Sequence, residues 1–373
     1  MIFYITIFLV LSSLLVLDFV KNADSLRRLI FFLVIAFFVF LAGLRWETGT
    51  DWNNYYSFFK NMNAQVLEED KVFEPGFKYV NFWVRSYTDD YTVFLMICAV
   101  FIISLKSYYF YRNTSLIFLA AFLYYAYFFF DIFFVRQSLA ISFVLISSPF
   151  IVKRKFIPFA ILIYLASLFH GSALVFLLAY FVYNLNMPGY VIFLIIAGSI
   201  FFSVLSIDAL VLKAVVQYMG GNAYIASKLE GYLEVGQSES FNSALGKTTV
   251  LLLGVLKRGV LVPIFIWFRD KIDKADYKEY NGYLNLFVMG TALYFITSNY
   301  MALQRISTYF TLFEILLVLM VARHLRGKVA ASIVYTVIVL YAFTKFYYGF
   351  ASYKDLYVPY YSIFDSNIER VVY

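Results

Sequence analysis

The sequence predicts an all-α polytopic membrane protein, and three observations carry that prediction. Hydrophobic residues make up 63% of the 373-residue chain and charged residues 14%, against about 45–50% and about 25% in soluble domains. The 44 Phe and 34 Tyr outnumber the 30 basic plus 23 acidic residues, so no soluble surface can be built from the charges present. Apolar runs of spanning length recur from one end to the other. Disordered, collagen-like and coiled-coil readings fail on the same grounds. The net charge of +7 then reports basic cytoplasmic loops, with no nucleic-acid partner implied. A single cysteine, Cys98, sits in an apolar run, and His170 and His324 are the only histidines. A disulfide, a thiol–metal cluster and a histidine-rich metal site are therefore not expected. No metal or other cofactor is implied.

A spanning helix needs about 20 mostly apolar residues. Single spans are predicted at Met1–Val20, Leu29–Leu44, Tyr91–Leu105, Val191–Ile207, Val250–Phe268, Leu284–Ser298 and Val329–Tyr348. Met1–Val20 has its basic residues after its apolar core, which predicts a retained span entering from outside rather than a cleaved signal. Ser115–Val152 is twice the spanning length, interrupted by Asp131 and Arg136. Ile306–Val321 joins the preceding span through a turn holding Asn299, Gln304 and Arg305. Each reads as a helical hairpin whose turn carries an arginine.

Five basic clusters hold half of the Lys and Arg residues: Lys21/Arg27/Arg28, Lys106/Arg112, Lys153–Lys155, Arg269/Lys271/Lys274/Lys278 and Arg323/Arg326/Lys328. The positive-inside rule places them in the cytoplasm. For the later clusters to stay inside, Phe156–Tyr183 must enter and leave on one face. At about 1.5 Å per residue it is long for one helix and short for two. We expect two short or re-entrant helices meeting at His170-Gly171-Ser172. The total is about twelve transmembrane helices with both termini outside, in a single integral membrane domain over 1–373. Two external loops, 45–90 and 208–246, alternate aromatic and polar residues and are expected to form interfacial helices.

Arg45, Glu47, Asp51, Glu74, Arg136, His170 and Arg305 all fall at or just beyond external span ends on this topology. Arginine so near hydrocarbon is expensive unless paired or set in a wet cavity. Lipid snorkelling accounts for one such arginine; several on one face point to a shared anion site, because the planar guanidinium binds phosphate in bidentate fashion. Lys257 and Arg258 lie near the middle of a span, with Glu314 as an internal partner. Asp51 and Glu74 are the best external carboxylates for taking a proton, against helix capping as the ordinary role of such an Asp. His170 is a candidate base, against packing. Asp89-Asp90 reads as a cap and His324 as cytoplasmic loop. No P-loop, GxGxxG, HExxH or GxSxG is present. That absence favours a donor already activated in the membrane.

The ordered set Gly43-Leu44-Arg45, Gly49-Thr50-Asp51 with Tyr55, Glu74-Pro75-Gly76-Phe77, Val135-Arg136-Gln137-Ser138-Leu139-Ala140, Phe169-His170-Gly171-Ser172-Ala173, Arg305 with Tyr309-Phe310, and Val358-Pro359-Tyr360 resembles the EpsG family, which is related to Wzy-type polymerases of bacterial surface polysaccharides. The resemblance spans nearly the whole chain and is compatible with a GT-C-like architecture. It implies a plasma-membrane polymerase acting at the outer face on undecaprenyl-pyrophosphate-linked oligosaccharide, with membrane lipid, a chain-length regulator and a flippase as partners. The growing glycan would pass from its lipid pyrophosphate to the terminal sugar hydroxyl of a new repeat unit. Arg45, Arg136, Arg258 and Arg305 would bind the pyrophosphate, and Asp51, His170 or Glu74 would serve the proton transfer. Trp52, Tyr55, Tyr224 and Tyr232 would offer faces to sugar rings. The alternatives are a ligase with a different acceptor and a transporter or flippase of the lipid-linked glycan, for which inverted repeats would be the mark.

Overall fold

The computed structural model describes residues 1–208, 210, 247–298, 300–325, 327–351 and 354–365. It is all-α apart from one two-stranded pairing. Among the described residues, six helices are long and apolar enough to cross a membrane: Ile2–Phe19, Asp24–Gly43, Tyr91–Asn113, Leu251–Arg269, Arg305–Arg323 and Ala331–Phe350. Five shorter apolar helices, Ile117–Tyr127, Arg136–Val152, Phe156–Ser167, Gly171–Val182 and Gly189–Val204, fill the remaining expected positions together with Lys274–Ile296. The external loop expected over 208–246, with its Tyr224 and Tyr232, lies almost wholly outside the described residues.

The chain forms two compact units, Met1–Leu174 with the stretch from Leu325 onward, and Val175–His324. The first begins with α1 (Ile2–Leu14), which tightens into a 3-10 turn at Leu15–Phe19, and α2 (Asp24–Gly43). The expected interfacial segment is helical: α3 (Trp52–Asn61), α4 (Ala64–Glu69) and α5 (Pro75–Arg85). Then come α6 (Tyr91–Asn113), α7 (Ile117–Tyr127), α8 (Arg136–Val152) and α9 (Phe156–Ser167). Asp90 caps α6 by accepting from the Thr92 amide at 2.8 Å, the ordinary role expected of it.

Two breaks interrupt the helices of this unit. α7 has 11 residues and so runs roughly 16 Å, about half the hydrocarbon thickness. Its start is fixed by the Asp18 carboxylate, which accepts from the Phe118 and Leu119 amides at 3.2 and 2.9 Å, while Arg27 donates to the Ser115 carbonyl at 2.9 Å. Beyond α7 a 3-10 turn at Phe129–Ile132 leads into α8, so Arg136 does sit in a hairpin turn. The second break is at 168–170, where α9 ends and a 3-10 segment begins at Gly171, giving the two short helices expected around His170.

Lys106 departs from expectation. It is no loop residue: it lies inside α6, 1% exposed, ion-paired with Asp131 and 2.6 Å from the Ser138 hydroxyl. Tyr124 donates to the same Asp131 oxygen at 2.7 Å. The physical reason is local: the 3-10 turn carries Asp131 into the interior, where a carboxylate requires a cation.

The C-terminal stretch returns to the start of the 45–90 segment. β1 (Arg45–Trp46) pairs antiparallel with β2 (Tyr361–Ser362). The Gly49 amide donates to Leu356 O at 3.0 Å and Tyr360 Oη to Leu41 O at 3.0 Å. Gly49 has φ +110°, the turn conformation that a side chain disfavours.

In the second unit, Lys274–Ile296 is the central helix, and its Asn285 holds the C-terminal end of the Gly171–Val182 segment by donating to Val182, Tyr183 and Leu185 carbonyls at 2.7–3.2 Å. Gly282 lets the Tyr183 ring lie on this helix. His324 is 3.2 Å from Asp276, which also pairs with Arg323. Leu251–Arg269 contains a π-helical turn at Val255–Gly259, and that turn carries Lys257 and Arg258.

Candidate active site around Arg136

Glu74 stands at the N-cap position of α5, followed by Pro75 at the first helical position. Its side chain does not cap α5. One oxygen accepts from Arg136 Nη1 at 2.9 Å, and the other accepts from the Gly171 amide at 3.2 Å. The neighbouring Gly76 amide donates to Leu168 O at 2.7 Å, and a Cβ there would lie 2.7 Å from that oxygen. Glycine is thus required for α5 to dock on the end of α9. The Glu-Pro-Gly run joins both breaks, the Arg136 turn and the His170 turn.

Arg136 is further held by Tyr55, whose hydroxyl accepts from Nε at 3.0 Å. Its guanidinium carbon lies 4.8 Å from the Phe73 ring centre, 5.3 Å from Tyr55 and 5.8 Å from Phe77. Rings at this range stabilise the cation and fix its plane. The two hydrogen bonds use two of the five guanidinium N–H donors, and Arg136 also borders a cavity of about 460 Å³. Asp51, Asn54, Tyr55, Ser57, Phe58 and Asn61 from α3 line that cavity, with Val72 and Phe73.

Asp51 occupies the N-cap position of α3, yet its carboxylate makes no capping hydrogen bond. It accepts only a long 3.4 Å bond from Tyr55 Oη and faces the cavity. The ordinary capping role weighed against it is therefore not used. His170 Nδ1 lies 2.7 Å from Ser172 Oγ within the turn that Glu74 holds.

The structure gathers Asp51, Tyr55, Glu74, Arg136 and the His170 turn; the other candidates have different surroundings. Arg45 is in the same unit but 4% exposed; it donates to Ala42 O at 3.0 Å and lies 5.8 Å from the Phe133 ring. Its Nε is buried with no partner among the described residues. Burial lowers the Arg45 pKa, and nearby Tyr91, Tyr357 and Tyr360 oppose that only in part. Burial likewise pushes Tyr360 up to about 12. Arg258 and Arg305 belong to the second unit. Arg258 stacks on Tyr294, 3.6 Å from the ring centre, rather than pairing with Glu314, which is buried at the start of its helix. Trp52 is 3% exposed, stacked on Tyr56 at 4.9 Å and packed on Trp46 and Tyr91. It is a packing residue in this structure, because the helical phase of α3 turns position 52 inward and positions 54, 57 and 61 outward.

Sequence reasoning missed the polar stripe of Asn54, Ser57 and Asn61, although the three- and four-residue spacing that puts them on one face was readable. It gave Tyr55 a sugar face and missed its bond to Arg136. The Gly171 amide carries no sequence signal of its own.

These features define a multi-pass helical membrane protein whose polar groups converge on one arginine between two broken helices. The sequence model of the EpsG family matches residues 28–362, and the chain belongs to that family, the Wzy-type polysaccharide polymerase-like proteins. No curated protein and no solved structure matches the chain. Membership supports a polysaccharide-polymerase-type glycosyltransferase in general.

Proposed function

We propose that the protein extends a lipid-linked polysaccharide at the outer face of the bacterial plasma membrane, in one integral membrane domain. The acceptor sugar hydroxyl of a new repeat unit attacks the anomeric carbon of the growing chain. The bond from that carbon to undecaprenyl pyrophosphate breaks, and the pyrophosphate leaves with the electron pair. Arg136 stabilises the charge developing on the leaving group. Asp51 takes the acceptor proton, and His170 is the second candidate for that step. Glu74 holds the two turns in place.

The observation that carries this reading is the convergence of Asp51, Tyr55, Glu74 and the His170 turn on Arg136 in a chain of this family. Reconstitution with a repeat unit purified from cells lacking the protein tests it. A ladder of longer glycans is expected from wild type, and loss of about 10²-fold or more from Asp51→Asn. Translocation of the repeat unit with no ladder would refute it and favour the transport reading, for which the half-length α7 and α9 are the supporting feature.

A further inference from the structure

α3 has two faces. Trp52, Tyr55, Phe59 and, just past the helix, Met62 are buried, whereas Asn54, Ser57 and Asn61 are exposed along the opposite side and line the cavity beside Arg136. Among the described residues, the side chains of these three make no hydrogen bond. The cavity therefore offers two carboxamides and a hydroxyl, each able to donate and accept, beside the aromatic faces of Phe58 and Phe73. Its volume of about 460 Å³ falls within the range of about 300–1,000 Å³ usual for small-molecule clefts.

Charge narrows the ligand. The charged lining residues are Asp51 and Arg136. The Arg136 cation is ion-paired with Glu74 at 2.9 Å, whereas Asp51 forms no ion pair among the described residues and is linked to Arg136 through the shared Tyr55 hydroxyl. With Arg136 already paired to Glu74, a carboxylate on a sugar lying along Asn54, Ser57 and Asn61 would be set beside the Asp51 carboxylate and be disfavoured there. Neutral amides and hydroxyls with flanking rings are the chemistry that recognises an uncharged pyranose.

We propose that Asn54, Ser57 and Asn61 form the acceptor-sugar subsite, and that the sugar seated there is uncharged. This rests on the polymerase reading above, and it places the attacking hydroxyl beside Asp51. The three side chains act as specificity-determining contacts. Asp51, at the head of the same stripe, is the group toward which they orient the sugar.

The test uses the full-length protein in proteoliposomes with the lipid-linked repeat unit purified from cells lacking this polymerase. Asn54→Ala and Asn61→Ala should each raise the acceptor KM about 3- to 10-fold, the effect of losing one neutral hydrogen bond, with kcat changed less than two-fold, about one assay's scatter. A binding readout runs in parallel. Cys98 is buried and is the only cysteine, so Ser57→Cys supplies one maleimide-reactive thiol. The repeat unit should slow its labelling at least three-fold, about what one site occupied two-thirds of the time gives, and undecaprenyl pyrophosphate without glycan should not.

The outcomes separate. If wild type makes no ladder, the polymerase reading falls and this subsite falls with it. If the ladder forms but KM is unchanged in both Asn variants and the thiol is not protected, the subsite is overturned while the polymerase reading stands. Protection by undecaprenyl pyrophosphate alone would assign the cavity to phosphate and overturn the sugar assignment. A uronic acid at the acceptor end of the purified repeat unit would overturn the uncharged-sugar assignment.

Discussion

Replacing Glu74 separates the two roles a carboxylate can have beside Arg136. As a brace it contributes two bonds, one to the guanidinium at 2.9 Å and one to the Gly171 amide at 3.2 Å. Charge-assisted bonds contribute about 1.5–3 kcal/mol. The Arg136 and Glu74 side chains are 22% and 20% exposed, so solvent screening sets the loss at the lower end. A total near 2 kcal/mol corresponds to roughly a 30-fold fall in kcat/KM for Glu74→Ala, since about 1.4 kcal/mol is tenfold. Glu74→Gln keeps one acceptor oxygen and should lose about five-fold, in line with one neutral bond. A proton-transfer role predicts otherwise: Gln would be as damaging as Ala, with about 10²–10⁴-fold lost in both. The assay is initial-rate extension of a labelled repeat unit in proteoliposomes, with pH–rate profiles for all three proteins. As a brace, Glu74→Ala keeps the wild-type profile at a lower rate. Equal losses above a hundredfold, or a profile missing one limb, would refute the bracing role.

Three further predictions concern stability. Lys106→Met strands the buried Asp131 carboxylate and should lower stability by about 3–5 kcal/mol, whereas the double variant Lys106→Met/Asp131→Leu should recover most of it; thermal unfolding in detergent reads both. Gly282→Ala would place a Cβ 2.2 Å from the Tyr183 ring and should cost about 1–3 kcal/mol. Gly171→Ala meets nothing within 4 Å and keeps its backbone amide for Glu74, so its melting temperature should match wild type.

Most of the helical order was legible because an apolar run needs no partner to declare itself. The two turns were legible for a related reason: Asp131 with Arg136, and His170-Gly171-Ser172, are polar interruptions in long apolar stretches, and a helix that must stop inside a membrane stops at such places. Lys106 was misread because a charge near the end of an apolar run looks like its cytoplasmic flank. Only the partner Asp131, 25 positions away, shows that it is interior. Trp52 was misread because an aromatic beside a predicted membrane surface suits anchoring, sugar stacking and packing alike, and the phase of α3 decides among them. The return of the C-terminal stretch was invisible, since pairing Arg45 with Ser362 depends on contacts that no local pattern encodes. The Val358-Pro359-Tyr360 motif therefore stood apart from Gly43-Leu44-Arg45 in the sequence, although Tyr360 binds back to Leu41.

The placement of Arg136 is best understood from what surrounds the start of α8. A helix leaves its first amides unpaired, and its N-terminus carries roughly half a positive charge. Val135 at the N-cap position provides no side-chain cap for α8. Adding a guanidinium at the first helical residue concentrates further positive charge in a half-buried setting, a costly arrangement for a resting protein. Glu74 offsets part of that cost without quenching the site, because it engages Nη1 alone while Tyr55 takes Nε. On the proposed reading, a lipid pyrophosphate with more than one negative charge would gain from the remaining guanidinium donors. Removing Glu74 therefore acts in two directions: it frees positive charge and it loosens the geometry. If charge alone governed the rate, Glu74→Ala would accelerate extension. The fall of roughly 30-fold follows only if the geometry held by the two bonds contributes more than the charge they neutralise.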